Sequence, residues 1–391
     1  MKLKALTIAL VSSGVLCSGI ATAGEFSFGG YARYGATYQA DEDSLYVAPA
    51  GDLNGRSAGR LGNEYNGGEF QFNYLTEAAS GAKWQVGVMF DHWTAYDWWS
   101  SGDVALKKAF AAGTGIFASQ PDMTVWAGRR FHQRPQTNLM DYFWMTHDGQ
   151  GGGFDNLDLG GAKLNLGIVG QVDCGSHPGG ADGIGCHGND NGNYALTSKL
   201  HGIGLGSATL DIYANYGFTS EAKPDNDTNS YQVAANVKMA GHSLVVRYSD
   251  NTKDTVFELT EDKTALLVHL EGGFGFSERA GMDYGIAYQS LEEADDSNDR
   301  VNYNVVVRPH ISWNDTHSTW VEAGYSVVDY DNVDATNTAW KLTLSQNMAV
   351  GPHTWSRPML RFYATVGNAD NESNSTDLDT LTLGAMWEAW W

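Results

Sequence analysis

The segment Leu381-Thr382-Leu383-Gly384-Ala385-Met386-Trp387-Glu388-Ala389-Trp390-Trp391 decides the fold class. Leu381, Leu383, Ala385, Trp387, Ala389 and Trp391 share one parity, and Thr382, Gly384, Met386, Glu388 and Trp390 share the other. An extended strand turns successive side chains to opposite faces, so a period of two gives one apolar and one polar face. Upstream the pattern recurs. Pro358, Leu360, Phe362, Ala364 and Val366 oppose Arg357, Arg361, Tyr363 and Thr365, and Trp340, Leu342 and Leu344 oppose Lys341, Thr343 and Ser345. Val301, Tyr303, Val305, Val307, Ile311 and Trp313 oppose Asn302, Asn304, Arg308, His310 and Ser312. Leu210, Ile212, Ala214 and Tyr216 oppose Thr209, Asp211, Tyr213 and Asn215; Trp84, Val86, Val88 and Phe90 oppose Lys83, Gln85 and Asp91.

A soluble β-sandwich would alternate too, with its apolar face inward. Length and aromatic placement favour a membrane barrel. Many segments run to about 10 residues, as a tilted membrane strand does, and aromatics recur towards their ends as interfacial girdles do. Lipid also demands closure, because an open sheet edge leaves backbone groups unpaired where no water can reach them. The expectation is an all-β transmembrane antiparallel barrel.

The N-terminus supports export. Lys2 and Lys4 precede an apolar stretch from Ala5 to Ile20, and Ala21-Thr22-Ala23 supplies a small-residue cleavage pattern. Residues 1–23 are therefore read as a signal peptide, and 24–391 as a single barrel domain. Beyond Gly24 no apolar run reaches the roughly 20 residues of a helical span.

A formal charge of −22 argues against nucleic acid as a partner, since phosphate binding needs clustered Lys and Arg. With 12% aromatics and 8 prolines, the composition is not that of a disordered chain. Cys174 and Cys186 lie in a Gly-rich stretch, where an oxidising compartment favours a loop disulfide. Metal binding by these cysteines with His177 or His187 is the competing reading. The polar runs Asn189 to Asn193, Glu292 to Asp299 and Asn368 to Asp379 read as solvated loops. They match no EF-hand spacing, but their carboxylates leave calcium as the one cofactor to consider.

Several strings resemble a known family. Arg60-Leu61-Gly62-Asn63-Glu64, then Val125-Trp126-Ala127-Gly128-Arg129-Arg130-Phe131-His132-Gln133-Arg134, then Trp355-Ser356-Arg357-Pro358 and Trp387-Glu388-Ala389-Trp390-Trp391 resemble maltoporins and related sugar porins. The matches run in order from Tyr31-Ala32-Arg33 to Trp391.

The resemblance implies a homotrimer of barrels in the bacterial outer membrane, each of about 18 strands with loops folded into the lumen. It implies passage of oligosaccharides along a slide of aromatics beside ionisable residues, with no chemistry and no cofactor. A pyranose ring has apolar C–H faces that lie on aromatic rings, while its hydroxyls seek polar partners. By the resemblance the slide would include Tyr31, Trp355 and Trp390, with Trp98 supplied by a neighbouring subunit. The polar track and constriction would include Arg33, Arg60, Lys107, Arg134, Asp141 and Phe143. Parity agrees for three slide residues: Tyr31 shares a side with Arg33, Trp355 with Arg357 and Arg361, and Trp390 with Glu388.

The chain also departs from the pattern. Lys107 stands where the family usually has Arg and loses the planar fork. Phe143 replaces a constricting Tyr, and Gln136 replaces an acidic residue. Gly68 and Phe70 fall where an aromatic and a carboxylate are expected, although a small gap would bring Glu69 into the second role. One further slide aromatic has no clear position in Ser230 to Val237.

A general diffusion porin is the nearest alternative, though its constriction rarely needs a Trp-rich lining. A carbohydrate-active enzyme would need paired carboxylates, and Asp141 has no obvious carboxylate partner. There is no Gly-x-Ser-x-Gly nucleophile turn either. The remaining partners implied are outer-membrane lipid, lipopolysaccharide and a phage bound by exposed loops.

Overall fold

A computed structural model describes residues 24–40, 44, 46–94, 104–171, 192–220 and 227–391. The signal-peptide reading, Trp98, Cys174 and Cys186 lie outside the described residues. The described residues form eighteen strands. The first six are β1 (Glu25–Gln39), β2 (Asn66–Glu77), β3 (Lys83–Thr94), β4 (Ala105–Thr114), β5 (Thr124–Arg130) and β6 (Gly149–Asp158). The next six are β7 (Lys163–Gln171), β8 (Asn193–Leu205), β9 (Ala208–Thr219), β10 (Ser230–Met239), β11 (His242–Asp250) and β12 (Thr264–Gly275). The last six are β13 (Ala280–Glu292), β14 (Arg300–Ser312), β15 (His317–Tyr330), β16 (Ala335–Ala349), β17 (Met359–Asn371) and β18 (Thr376–Trp390). Each strand pairs antiparallel with its sequence neighbours, and β1 closes the barrel on β18 with Tyr31 opposite Trp390.

The alternation read from sequence is the wall of this barrel. On β16, Leu344 is 53% exposed on the outer face while Ser345 beside it is fully covered. Thr382, Met386 and Glu388 of β18 point inward, and Leu381, Leu383 and Trp387 point outward. Polar residues on the inner face are covered because loops fold into the lumen.

One end carries short turns and the other carries the long connections. Ala240 and Gly241 join β10 to β11 with φ of 49° and 84°. A type I′ hairpin needs both central residues left-handed, which glycine adopts freely and alanine tolerates at some cost. At the opposite end, the connections between β1 and β2, β5 and β6, and β11 and β12 turn inward. From the second of these, Leu139, Met140, Tyr142, Trp144 and Met145 pack on Tyr213, Ala234, Val245, Leu267, Ala287 and Val306 of the wall.

Two expectations need correction. Asn368 to Asp379 is mostly strand: β17 runs to Asn371 and β18 starts at Thr376, so four residues form the turn. Glu292 and Asn193 likewise belong to strands, and a short 3-10 turn at Asp296–Asn298 lies in the connection after β13. At their long-connection ends these strands carry polar residues on the outward parity as well, among them Glu292, Asp370 and Asp379, so the apolar alternation lapses and the composition reads as loop.

Candidate functional site

A cavity of about 980 Å³ lies inside the barrel between the inward loops and the wall built by β1, β2, β3 and β18. Its aromatic side is continuous. The Tyr31 ring lies 6.5 Å from Trp390, with the planes inclined by 24°, and Trp390 lies 6.1 Å from Trp355. On its other side Tyr31 lies 6.1 Å from Trp93, inclined by 28°. Four rings therefore form a ribbon in the order Trp93, Tyr31, Trp390, Trp355.

Trp93 was not anticipated. It stands on β3 with Gly67 of β2 opposite, and a Cβ at Gly67 would meet the Trp93 ring at 2.5 Å. The missing side chain on β2 is what lets the indole cross that strand and reach Tyr31. The aromatic expected near Gly68 is thus supplied by the neighbouring strand. Two sequence signals pointed to it: Trp93 shares the parity of inward-facing Asp91, and Gly67-Gly68 leaves β2 bare.

Beside the ribbon lies an ionic lattice. The Tyr31 hydroxyl donates to Glu388 Oε1 at 2.8 Å. Glu388 also accepts from Arg60, from Arg357 through Nε at 2.9 Å and Nη2 at 2.6 Å, and from Arg361 at 3.2 Å. Three guanidiniums on one covered carboxylate fix its position, and Glu64 takes part of the excess by pairing with Arg361 at 2.7 Å. Arg33 donates to Asp141 at 3.0 Å and to the Tyr65 carbonyl at 2.9 Å. Burial opposes ionisation of Asp141, but the Arg60 and Arg33 guanidiniums prevail and hold its carboxyl below the usual value. Gln136 donates to the other Asp141 oxygen, so it supplies a donor where an acceptor is usual.

The β5–β6 connection carries Arg134, whose guanidinium is held between the rings of Phe131 and Phe143 at 4.0 and 4.1 Å. It pairs with Glu69 at 3.4 Å and with Asp148 at 3.3 Å. Glu69 lines the cavity, in the place anticipated if a gap is allowed.

Tyr31, Arg33, Arg60, Arg134, Asp141, Phe143, Trp355 and Trp390 all meet at this one cavity. Lys107 does not line it. A β-bulge between β3 and β4 places Lys107 beside Asp91 at 3.4 Å, while Lys108 reaches over Phe131, which lines the cavity. Trp355 arrives by a route that parity did not foresee, since β17 begins at Met359 and Trp355 sits in the connection before it. Arg56, Tyr65 and Glu271 also line the cavity and were missed: Arg56 and Tyr65 are placed by the β1–β2 connection, and Glu271 stands on the inner face of β12, where it accepts from the Asn138 N–H at 3.0 Å. β10 brings no aromatic inward: Tyr231 faces outward, and Ser230, Gln232 and Asn236 lie covered. Among the described residues no group of three His, Cys, Asp or Glu side chains is placed to hold a metal ion.

The LamB porin family matches residues 26–391 of the chain. Two maltoporins of Vibrio cholerae serotype O1, from strains El Tor Inaba N16961 and Classical Ogawa 395, are each 26% identical over 437 aligned residues. The alignments cover 99% of this chain and 100% and 99% of those relatives. Among solved structures, a triple mutant of the Rhodopseudomonas blastica porin is 13% identical with a TM-score of 0.43, covering 93% of this chain and 100% of that one. The outer membrane protein OmpT of Vibrio cholerae, in its trimer form, is 11% identical with a TM-score of 0.45, covering 95% and 100%.

Proposed function

The chain belongs to the LamB porin family, an outer-membrane β-barrel that is a channel rather than an enzyme, and we propose that it passes oligosaccharides by diffusion along the aromatic ribbon. The observation that carries this reading is the unbroken run of Trp93, Tyr31, Trp390 and Trp355 beside fixed donors and acceptors. Overlapping ring positions about 6 Å apart let a pyranose step from one face to the next without a deep well. Arg33, Arg60, Arg134, Asp141 and Glu69 serve the hydroxyls along the edge. Conduction needs binding that is weak enough to release, and shared positions meet that need.

The constriction differs from a maltodextrin-specific one in its chemistry. Phe143 offers no hydroxyl, and Gln136 occupies one oxygen of Asp141. The preferred sugar is therefore a short maltodextrin or a related neutral oligosaccharide that asks for fewer acceptors. Assembly as a homotrimer with Trp98 entering from a neighbour, removal of residues 1–23 and a Cys174–Cys186 staple belong to the same proposal.

The test is a conductance titration of the reconstituted protein with maltotriose, maltohexaose, sucrose and a β-glucoside. A saturable block of ion current by at least one of these is expected. No block by any of them would leave a general diffusion porin.

A further inference from the structure

The aromatic ribbon ends at Trp355, and beyond it the lumen wall opens into a separate hollow of about 360 Å³ at the short-turn mouth. Sites for small ligands span roughly 300–1,000 Å³, so one sugar ring fits this space. Register explains why the hollow exists. Gly275 pairs with Gly281, which pairs with His310; one step further in, Gly273 pairs with Asp283, which pairs with Arg308. These positions share the inner face, and three of them have no side chain.

The polar side chains there include Asp283 and His310 of the inner face, and Glu278 and Arg279 of the turn before β13, with Arg279 paired to Asp315 at 3.1 Å. Arg308 stands opposite Asp283 but gives Nε and Nη2 to Glu322, at 3.0 and 2.6 Å. Among the described residues, Asp283 has no hydrogen bond or ion pair of its own. Its carboxylate leans over Gly273, where an added Cβ would meet Asp283 Oδ1 at 2.8 Å. Trp355 forms part of the same lining and is more than half exposed. An exposed indole face, an acceptor-only carboxylate with free lone pairs and a backbone stripped of side chains make a receptor for a polyol ring.

We propose that this hollow is an exit subsite for a neutral pyranose, which lies on Trp355 and donates hydroxyl hydrogens to Asp283. The proposal rests on the channel reading above and deepens it.

The experiment uses the reconstituted full-length protein with maltotriose added on the short-turn side. Asp283→Ala should shorten the maltotriose block by about tenfold, the scale of one hydrogen bond to a charged acceptor. Gly275→Leu fills the hollow without touching the carboxylate, and a Cβ there meets nothing within 4 Å. It should shorten the maltotriose block similarly while leaving thermal stability unchanged. Unaltered block in both variants, with Trp390→Ala still weakening it, overturns the exit subsite and leaves the channel. If wild-type protein shows no block, the channel reading falls and the subsite falls with it.

Discussion

The two sides of the barrel wall are written in one alternating code yet do different work. Along β1, β2, β3 and β18, the inner face carries charges locked in pairs and aromatics that stay open to the lumen. Trp390 is 37% exposed there, on a carpet made by Arg357 at 4.6 Å and Glu388. Along β9 to β14 the inner face is a seat. Ala234, Val245, Leu267, Ala287 and Val306 take the apolar side of the β5–β6 connection, where Trp144 is only 2% exposed. Exposure of a large aromatic thus separates a surface that handles a passing molecule from one that holds the protein's own chain.

Removing Glu388 would disturb the open side most. Glu388→Ala leaves Arg60, Arg357 and Arg361 facing one another without their shared carboxylate. Breaking a covered ion pair from one side costs about 3–5 kcal/mol, so a large fall in the thermal unfolding midpoint is expected. An unchanged midpoint would show that the lattice is not structural.

Next come the two tryptophans. Trp144→Ala should cost about 3–5 kcal/mol by emptying a packed site, which unfolding in denaturant would report, and it should raise open-channel conductance as the loop loosens. Trp390→Ala should leave stability nearly unchanged while weakening sugar block by about tenfold, equivalent to about 1.4 kcal/mol. If the two variants behaved alike, the contrast between the walls would collapse.

Acid should act on the two ends of the β5–β6 connection, where His132 meets Thr197 and His147 accepts from the Val256 N–H. Burial pushes His132 and His147 from 6.5 down to about 3, with Arg130 adding to this for His132, and His132 and Arg247 for His147. Both therefore sit neutral in the folded loop, and the unfolded loop binds more protons between those values. Their contribution is full above about pH 6.5 and is lost as pH falls towards about 3. Proteolysis of residues 131–148 should accelerate through that window, and no change would contradict the assignment.

The smallest effect is expected from Phe143→Tyr. The hydroxyl it restores adds one hydrogen bond, worth about 0.5–1.5 kcal/mol, so maltotriose block should tighten by a few fold.

How much was legible follows the same division. Strand parity placed Tyr31 and Trp390 correctly because both stand on strands, where the period of two is strict. It placed Trp355 in the lumen for the wrong reason, since that residue lies in a connection to which parity does not apply. Trp93 was readable from its own strand, but its value depends on Gly67 across the sheet, and single-strand patterns do not report register. The partners of Glu388 come from Tyr31, Arg60, Arg357 and Arg361, up to 357 residues away in sequence. Local pattern cannot encode such contacts. The covering of the seat was equally hidden, because an inner-face residue reads the same whether a loop lies over it or water does.

The most direct test of the central claim is single-channel recording of maltohexaose block in a Trp93→Ala, Trp390→Ala double variant beside the wild type. The aromatic-ribbon account predicts saturable block in the wild type, its near loss in the double variant, and similar open conductance in both. Block of equal strength in the two proteins would contradict it.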